Sequence, residues 1–183
     1  MAECLITAAW SCPSCDDKFQ IPGIQRDAIW VGNRTEIQSY TSTVEGEISA
    51  MVFDSYKGLF KVCVHRDSAS FTEELASENT SGYYYNQNLT FRVIDDSRAT
   101  KEAIEGMVGV DLVFIVKKRN NKFVVIGQDF GVRMTENSKT TGSAAGDETG
   151  DTMTFTGEAL SKANYFLNTS VVITESLLDD YIV

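Results

Sequence analysis

The clearest pattern in this 183-residue chain is an alternation of apolar and polar residues between residues 83 and 95. Leu89, Phe91 and Val93 fall on one set of alternate positions, and Asn88 and Thr90 fall on the other. A period of two is typical of a β-strand with one buried face and one polar face. The first face also holds Tyr83, Tyr85 and Gln87, and the second also holds Tyr84, Asn86 and Arg92. Paired with Ala69–Glu78, this segment is predicted to form the longest strand pair, with a neutral polar face that suits solvent or a protein partner equally.

Shorter apolar runs predict further strands. They are Ala28–Val31, Ile48–Asp54, Leu59–His65, Gly131–Thr135, Thr152–Gly157 and Val171–Ile173. Arg34–Glu47 has no helical stripe and is interpreted as an extended loop or a loose hairpin. Asp111–Gln128 reads as a hairpin around the two-residue turn Asn120-Asn121, since asparagine tolerates the positive φ that such a turn requires.

One short amphipathic helix is predicted at Ser97–Met107. Asp96 or Ser97 is placed to cap it, and the glycines Gly106 and Gly109 end it. Ala103, Ile104 and Met107 share one face with Ala99, so this face is expected to pack on a sheet. With ten aromatic residues per hundred and only two prolines, the chain is predicted to be a mainly β globular domain with one helix.

Three regions are distinguished along the chain. Residues 1–25 are irregular and are predicted to form an N-terminal arm, residues 26–174 form the β-domain, and residues 175–183 form an acidic C-terminal tail. Within the domain, Glu136–Asp151 contains no large apolar residue and is predicted to be a long loop that a neighbouring subunit orders. The candidate subunit-interface residues are Thr141, Gly142, Ser143, Ala144, Ala145, Gly146, Asp147 and Glu148.

The formal net charge of −10 argues against a basic groove that grips nucleic acid. It fits either simple solubility or a wall past which DNA moves without sticking. The N-terminus lacks a basic region ahead of its apolar residues, and no run reaches the length of a membrane span. We therefore expect synthesis in the cytoplasm and no membrane insertion.

Few residues suggest chemistry. Cys12 and Cys15 form a CxxC pair that, with Cys4 and Cys63, offers four thiolates for zinc, but the spacings are not those of a finger or ribbon. No βαβ pattern surrounds the pair, so a redox role is also disfavoured, and we interpret these cysteines as small reduced side chains. His65 stands two residues from Cys63, which is poor spacing for a catalytic dyad. The adjacent carboxylates Asp95-Asp96 and Asp179-Asp180 are interpreted as a helix cap and a solvated tail. No catalytic residue, cofactor or metal is predicted, and the chain is not expected to be an enzyme.

The order of elements over residues 68–157 resembles that of tail-tube-like structural proteins of tailed bacteriophages. The resemblance rests on Ser70–Glu74, on Gly82–Leu89, on the helix and hairpin that follow, and most specifically on the segment GDETGDTMTFTGE beginning at Gly146. Cys4, Cys12 and Gly23-Ile24 at the opening of the chain add to it. The CxxC arm and the residues beyond Phe166 depart from the family pattern.

The resemblance implies a fold and an assembly. The fold would be two packed antiparallel β-sheets forming a small barrel or sandwich with one flanking helix. Copies of the chain would form rings of six that stack into a virion tube conducting genome DNA without binding it specifically. The partners would be the chain itself and other tail or neck proteins. The alternatives are a neck or tail-tip ring or adaptor, and a β-sandwich decoration module that binds a receptor or glycan, which the Tyr83–Tyr85 cluster would suit.

Overall fold

The computed structural model describes residues 24–42, 46–65, 67–78, 82–143, 147, 149–166 and 178. Strands make up 57% of the structure, which confirms the prediction of a mainly β chain. The elements in chain order are β1 (Ile24–Asn33), β2 (Ile37–Thr41), β3 (Glu47–Ile48), β4 (Ala50–Phe53), β5 (Phe60–Val62), β6 (Ser70–Glu78), β7 (Gly82–Val93), α1 (Arg98–Gly106), β8 (Leu112–Lys118), β9 (Phe123–Ile126), β10 (Arg133–Thr140), β11 (Gly150–Ala159) and β12 (Tyr165–Phe166). A 3₁₀ turn at Arg34–Glu36 joins β1 to β2.

The strands form three sheets rather than the two that the resemblance implied. The largest has six strands in the order β3-β12-β9-β8-β1-β5, the second has four in the order β10-β11-β7-β6, and β2 pairs with β4 in the third. The expected antiparallel arrangement fails at one place, because β12 runs parallel to β3. Within the described residues the sheets do not close into a barrel.

The six-stranded sheet is the middle layer, and its two faces bury two separate hydrophobic clusters. Between it and the four-stranded sheet, the rings of Phe91, Phe114 and Phe155 meet with centroid separations of 4.7 to 5.9 Å. On its other face, Trp30 and Phe123 pack with residues of the two-stranded sheet. Strand β8 is consequently buried from Leu112 to Lys117, and its continuous apolar run reflects burial on both faces.

Both predicted hairpins are present. Strands β6 and β7 pair in continuous register from Ser70↔Thr90 to Glu78↔Gly82, as the alternation indicated. The β8–β9 turn differs from the expected two-residue turn, because Lys118 N–H donates to the Lys122 carbonyl and leaves three residues in the loop. Among the three loop residues, only Asn121 has a positive φ, of 62°. This combination is a type I turn followed by one left-handed residue, which needs a single tolerant position rather than two.

Helix α1 begins and ends close to the predicted limits. Ser97 is its N-cap, with its hydroxyl accepting from Thr100 N–H at 3.2 Å. Ile104 is buried and Met107 packs against the first cluster, but Ala103 is exposed, contrary to the expected packing. Ala103 instead lines an open space between the helix and the sheets.

The loop predicted at Glu136–Asp151 was wrong at both ends, because its first five residues belong to β10 and its last two, Gly150 and Asp151, begin β11. Glu136–Thr140 belong to β10, which pairs with β11 from Arg133↔Thr156 to Thr140↔Gly150. Apolar side chains are unnecessary there because β10 is an edge strand that is solvent-exposed along most of its length. The strand is held to β11 by backbone hydrogen bonds, which a pattern of apolar residues does not predict.

The predicted boundaries are only partly covered by the described residues. Strand β1 starts at Ile24, inside the predicted arm, and Ile24 is buried. Ala28–Val31 lies within β1, and the Arg34–Glu47 region holds β2 and the start of β3 instead of a loop. The expected strand Val171–Ile173 lies outside the described residues, as do residues 1–23. Of the predicted acidic tail only Leu178 is described, and it is buried in the second cluster.

Candidate functional site

The four-stranded sheet presents one face to solvent. Register places Ser70, Thr90 and Thr154 in one row across three strands, and Thr72, Asn88 and Thr156 in the next. Because alternate residues share a face, the opposite side carries Leu89, Phe91 and Phe155 into the core. We define the uncharged face as the following side chains: Ser70, Thr72, Asn88, Thr90, Ser138, Thr152, Thr154 and Thr156.

The side chains of the uncharged face are all short. The hydroxyls of Thr90 and Thr154 lie 3.3 Å apart and hydrogen bond across the two central strands. Charged residues surround this patch, with Glu74 and Glu158 at one end, Arg92 beside Thr152 at the other, and Glu136 and Arg133 along β10. The sequence prediction of a neutral polar face therefore describes the middle of the sheet, while acidic and basic residues occupy its margin.

Both edges of this sheet are long. Strand β6 pairs with β7 and strand β10 pairs with β11, and the part of the chain that the structure describes places no further strand beside either one. An edge strand presents unpaired backbone N–H and C=O groups to any strand that can approach it. The two edges of eight and nine residues are therefore surfaces on which a second chain can add strands.

The predicted interface loop is shortened to the segment between β10 and β11. Of its candidate residues, Thr141, Ser143 and Asp147 are exposed, and Gly142 is half-buried. Asp147 accepts hydrogen bonds from the backbone N–H and the hydroxyl of Ser143, at 2.7 and 2.9 Å. The candidates Ala144, Ala145, Gly146 and Glu148 lie outside the described residues. The prediction that a neighbour orders this loop stays a prediction.

A buried polar network that sequence reasoning did not single out fixes the two large sheets to each other. Gln87 is 3% exposed on the core face of β7. Its Oε1 accepts from Gly127 N–H at 2.8 Å, and its Nε2 donates to Glu73 at 3.2 Å. Glu73 also accepts from Ala163 N–H at 2.6 Å. The signal available in the sequence was one polar residue in the otherwise apolar half of the alternation.

An exposed ion pair makes a second connection between the sheets. Arg133, at the start of β10, donates to both carboxylate oxygens of Asp111, which precedes β8. The hydrogen bonds from Arg133 hold the pKa of Asp111 below its ordinary value of 3.8, and the pKa of Arg133 is raised in turn.

The residues considered for chemistry are not brought together. Cys63 is exposed, Cys4, Cys12 and Cys15 lie outside the described residues, and no group of three or more potential metal ligands occurs among the residues described. Cys63 and His65 follow β5 instead of sharing it. The imidazole Nδ1 of His65 lies 3.1 Å from an Arg92 guanidinium nitrogen.

The carboxylate pair Asp95-Asp96 divides its roles differently from the prediction. Asp95 supports the helix N-terminus by accepting from Thr100 and Ser97, and these hydrogen bonds lower its pKa. Asp96 instead pairs with Lys139 of β10. Ser97, the other residue proposed as a cap, is the one that caps the helix.

Comparisons with protein-family models, with curated proteins and with solved structures gave no match. Among the described residues, no helix is both long enough and apolar enough to cross a membrane. The site that stands out is the four-stranded sheet with its uncharged face and two exposed edges. Its chemistry is that of a contact surface.

Proposed function

We propose that this chain is a virion structural protein that assembles head-to-tail into rings of six subunits, which stack as the tail tube of a phage. The observation that carries the proposal is the four-stranded sheet, whose edges β6 and β10 are both exposed among the described residues while the middle of its outer face is polar and uncharged. Strand β6 of one copy adds to β10 of the next, and repetition of this unlike contact closes a ring.

The ring places the sheets side by side around a channel. The uncharged face lines the channel with short hydroxyl and amide groups. The two arginines at its margin are engaged, since Arg133 is paired with Asp111 and Arg92 is buried beside His65, so DNA phosphates meet few cationic partners. The acidic excess, a net charge of −10, adds long-range repulsion that keeps DNA from sticking. The resemblance of residues 68–157 to tail-tube proteins agrees with this arrangement.

Oligomeric state tests the proposal directly. The purified full chain should elute as a closed oligomer in size-exclusion chromatography with light scattering, and negative-stain micrographs should show rings or stacked rings. A chain that remains monomeric at high concentration would contradict the proposal. Single rings that never stack would favour the related neck or tail-tip ring.

Hydrogen exchange locates the contact without any substitution. In the assembled state, peptides covering β6 and β10 should exchange more slowly than in dilute, dissociated chain, and a peptide covering residues 141–149 should follow them if a neighbour orders that loop. Strand β8, which is buried in the monomer, serves as the internal control and should be protected equally in both states. Edge peptides that exchange equally fast in both states would rule out edge-to-edge pairing.

A second candidate is a decoration module that binds a receptor or glycan. It is favoured by two exposed side chains near the turn of the β6–β7 hairpin, Tyr83 at 76% and Leu75 at 60%. Exposed aromatic rings of this kind suit sugar or protein contacts. This module would be monomeric or trimeric, and Tyr83→Ser would abolish its binding to host cells without altering its oligomeric state.

A further inference from the structure

A large apolar cavity lies between α1 and the open end of the β-sandwich. Its volume is about 610 Å³, within the range of small-molecule sites. Phe91 and Met153 of the four-stranded sheet line it, as do Val31 and Val62 of the six-stranded sheet, and Ile104 closes the helix side.

Small residues on the helix keep this space open. Ala103 and Gly106 both line the cavity, where a larger side chain would fill part of it. A Cβ added to Gly106 would meet no atom within 4 Å, so neither crowding nor a positive φ requires glycine there. Glycine in a helix lowers helix stability relative to alanine, and yet it stands at a position facing the cavity.

The lining also indicates the class of ligand. Met107 and Met153 offer flexible, polarisable surfaces that adapt to varied apolar shapes. The polar groups near helix α1 are already engaged, since Asp95 accepts from both Ser97 and Thr100. The ammonium of Lys61 lies 5.2 Å from the ring of Trp30, which belongs to the second cluster, so the lining offers no cationic group to an anion.

We propose that this cavity binds a small, uncharged, mainly apolar molecule, such as an aliphatic chain or an aromatic ring system. The site is separate from the uncharged face and from the sheet edges, and the proposal does not depend on ring assembly. The ligand fills the gap that Ala103 leaves between helix and sheet and holds α1 against the sandwich.

The test uses the full chain and N-phenyl-1-naphthylamine, a neutral probe whose fluorescence rises in apolar surroundings. The native chain should bind one probe per chain saturably. Ala103→Phe fills the cavity and should weaken binding by about tenfold or more. The matched control is Ala99→Phe, one turn earlier on an exposed position outside the cavity, which should bind like the native chain. Gly106→Leu provides a second filling variant should Ala103→Phe fail to fold by circular dichroism.

Competition defines the ligand class. Octanol should displace the probe, and octanoate of the same length should do so much more weakly. Saturable binding that survives both filling variants, or no saturable binding to the native chain, would overturn the assignment of the site. Stronger displacement by octanoate would overturn the uncharged class.

Discussion

The six-stranded and four-stranded sheets use their strands in opposite ways. Strand β8 of the first is buried on both faces, and its side chains feed two hydrophobic clusters. Strands β7 and β11 of the second bury one face and leave the uncharged face partly exposed, apart from the buried Arg92 at its end. The contrast teaches that the fully buried strand and the partly exposed face lie in different sheets, so we expect substitutions on the outer face to have little effect on the fold.

The strongest test of this division compares neighbouring residues of strand β11. Phe155 is fully buried and stacks on Phe91, so Phe155→Ala should lower the free energy of unfolding by about 3–5 kcal/mol. Thr154, on the uncharged face, loses one hydroxyl hydrogen bond in Thr154→Ala, and the expected loss is about 1 kcal/mol or less. Urea denaturation followed by circular dichroism measures both. Similar losses for the two variants would mean that something covers the outer face.

A smaller effect is expected where β7 bonds to the loop after β9. Gln87→Leu leaves Gly127 N–H buried without its acceptor, and the expected loss is about 1–3 kcal/mol. Asn86→Leu changes the adjacent, exposed position and should stay within about 0.5 kcal/mol of the native chain. If Gln87→Leu proves neutral, the network does not hold the two sheets together.

The smallest effect is expected for the Asp111–Arg133 ion pair, whose contribution to stability depends on pH. Because the folded state lowers the pKa of Asp111, the pair stabilises the fold above the ordinary pKa of 3.8, and this contribution is lost as the pH falls through the folded value. The difference in melting temperature between the native chain and Asp111→Asn should thus be largest above about pH 5 and narrow below it. In an Asp111→Asn background, Arg133→Gln should add no further pH dependence. A pH-independent difference would exclude the ion pair as its source.

The sequence predicted elements best where side-chain periodicity and burial coincide. Strand β7 and the hairpin β8–β9 carry apolar residues on most of their buried positions, and helix α1 has its cap at Ser97. The later part of strand β10, Glu136–Thr140, was missed because this exposed stretch of an edge strand buries nothing that a pattern can reveal. The third sheet was missed although β2 and β4 lie close together in the chain, because Ile37 is the one fully buried residue of β2 and its sequence shows no regular alternation.

The candidate site was less predictable than the fold. The sequence identified the polar half of β7, but the rows joining Thr90 to Thr154 and Asn88 to Thr156 depend on pairing with a strand more than sixty residues away. The cavity beside α1 was hidden for a related reason. Ala103 has the sequence spacing of a core residue. Its place in the cavity lining, with an exposed side chain, is visible only in the three-dimensional structure.

The parallel pairing of β12 with β3 has a consequence for how the molecule forms. Tyr165 pairs with Glu47, so completing the six-stranded sheet joins segments that are more than a hundred residues apart in the sequence. Closing such a long loop costs conformational entropy. Sheets built from distant segments therefore fold more slowly than those built from local hairpins. On a ribosome, the hairpins β6–β7 and β8–β9 are available long before residue 165 emerges. Strand β9 therefore gains β12 as a neighbour only after residue 166 has emerged, and until then the nascent chain is exposed to pairing with the wrong strand.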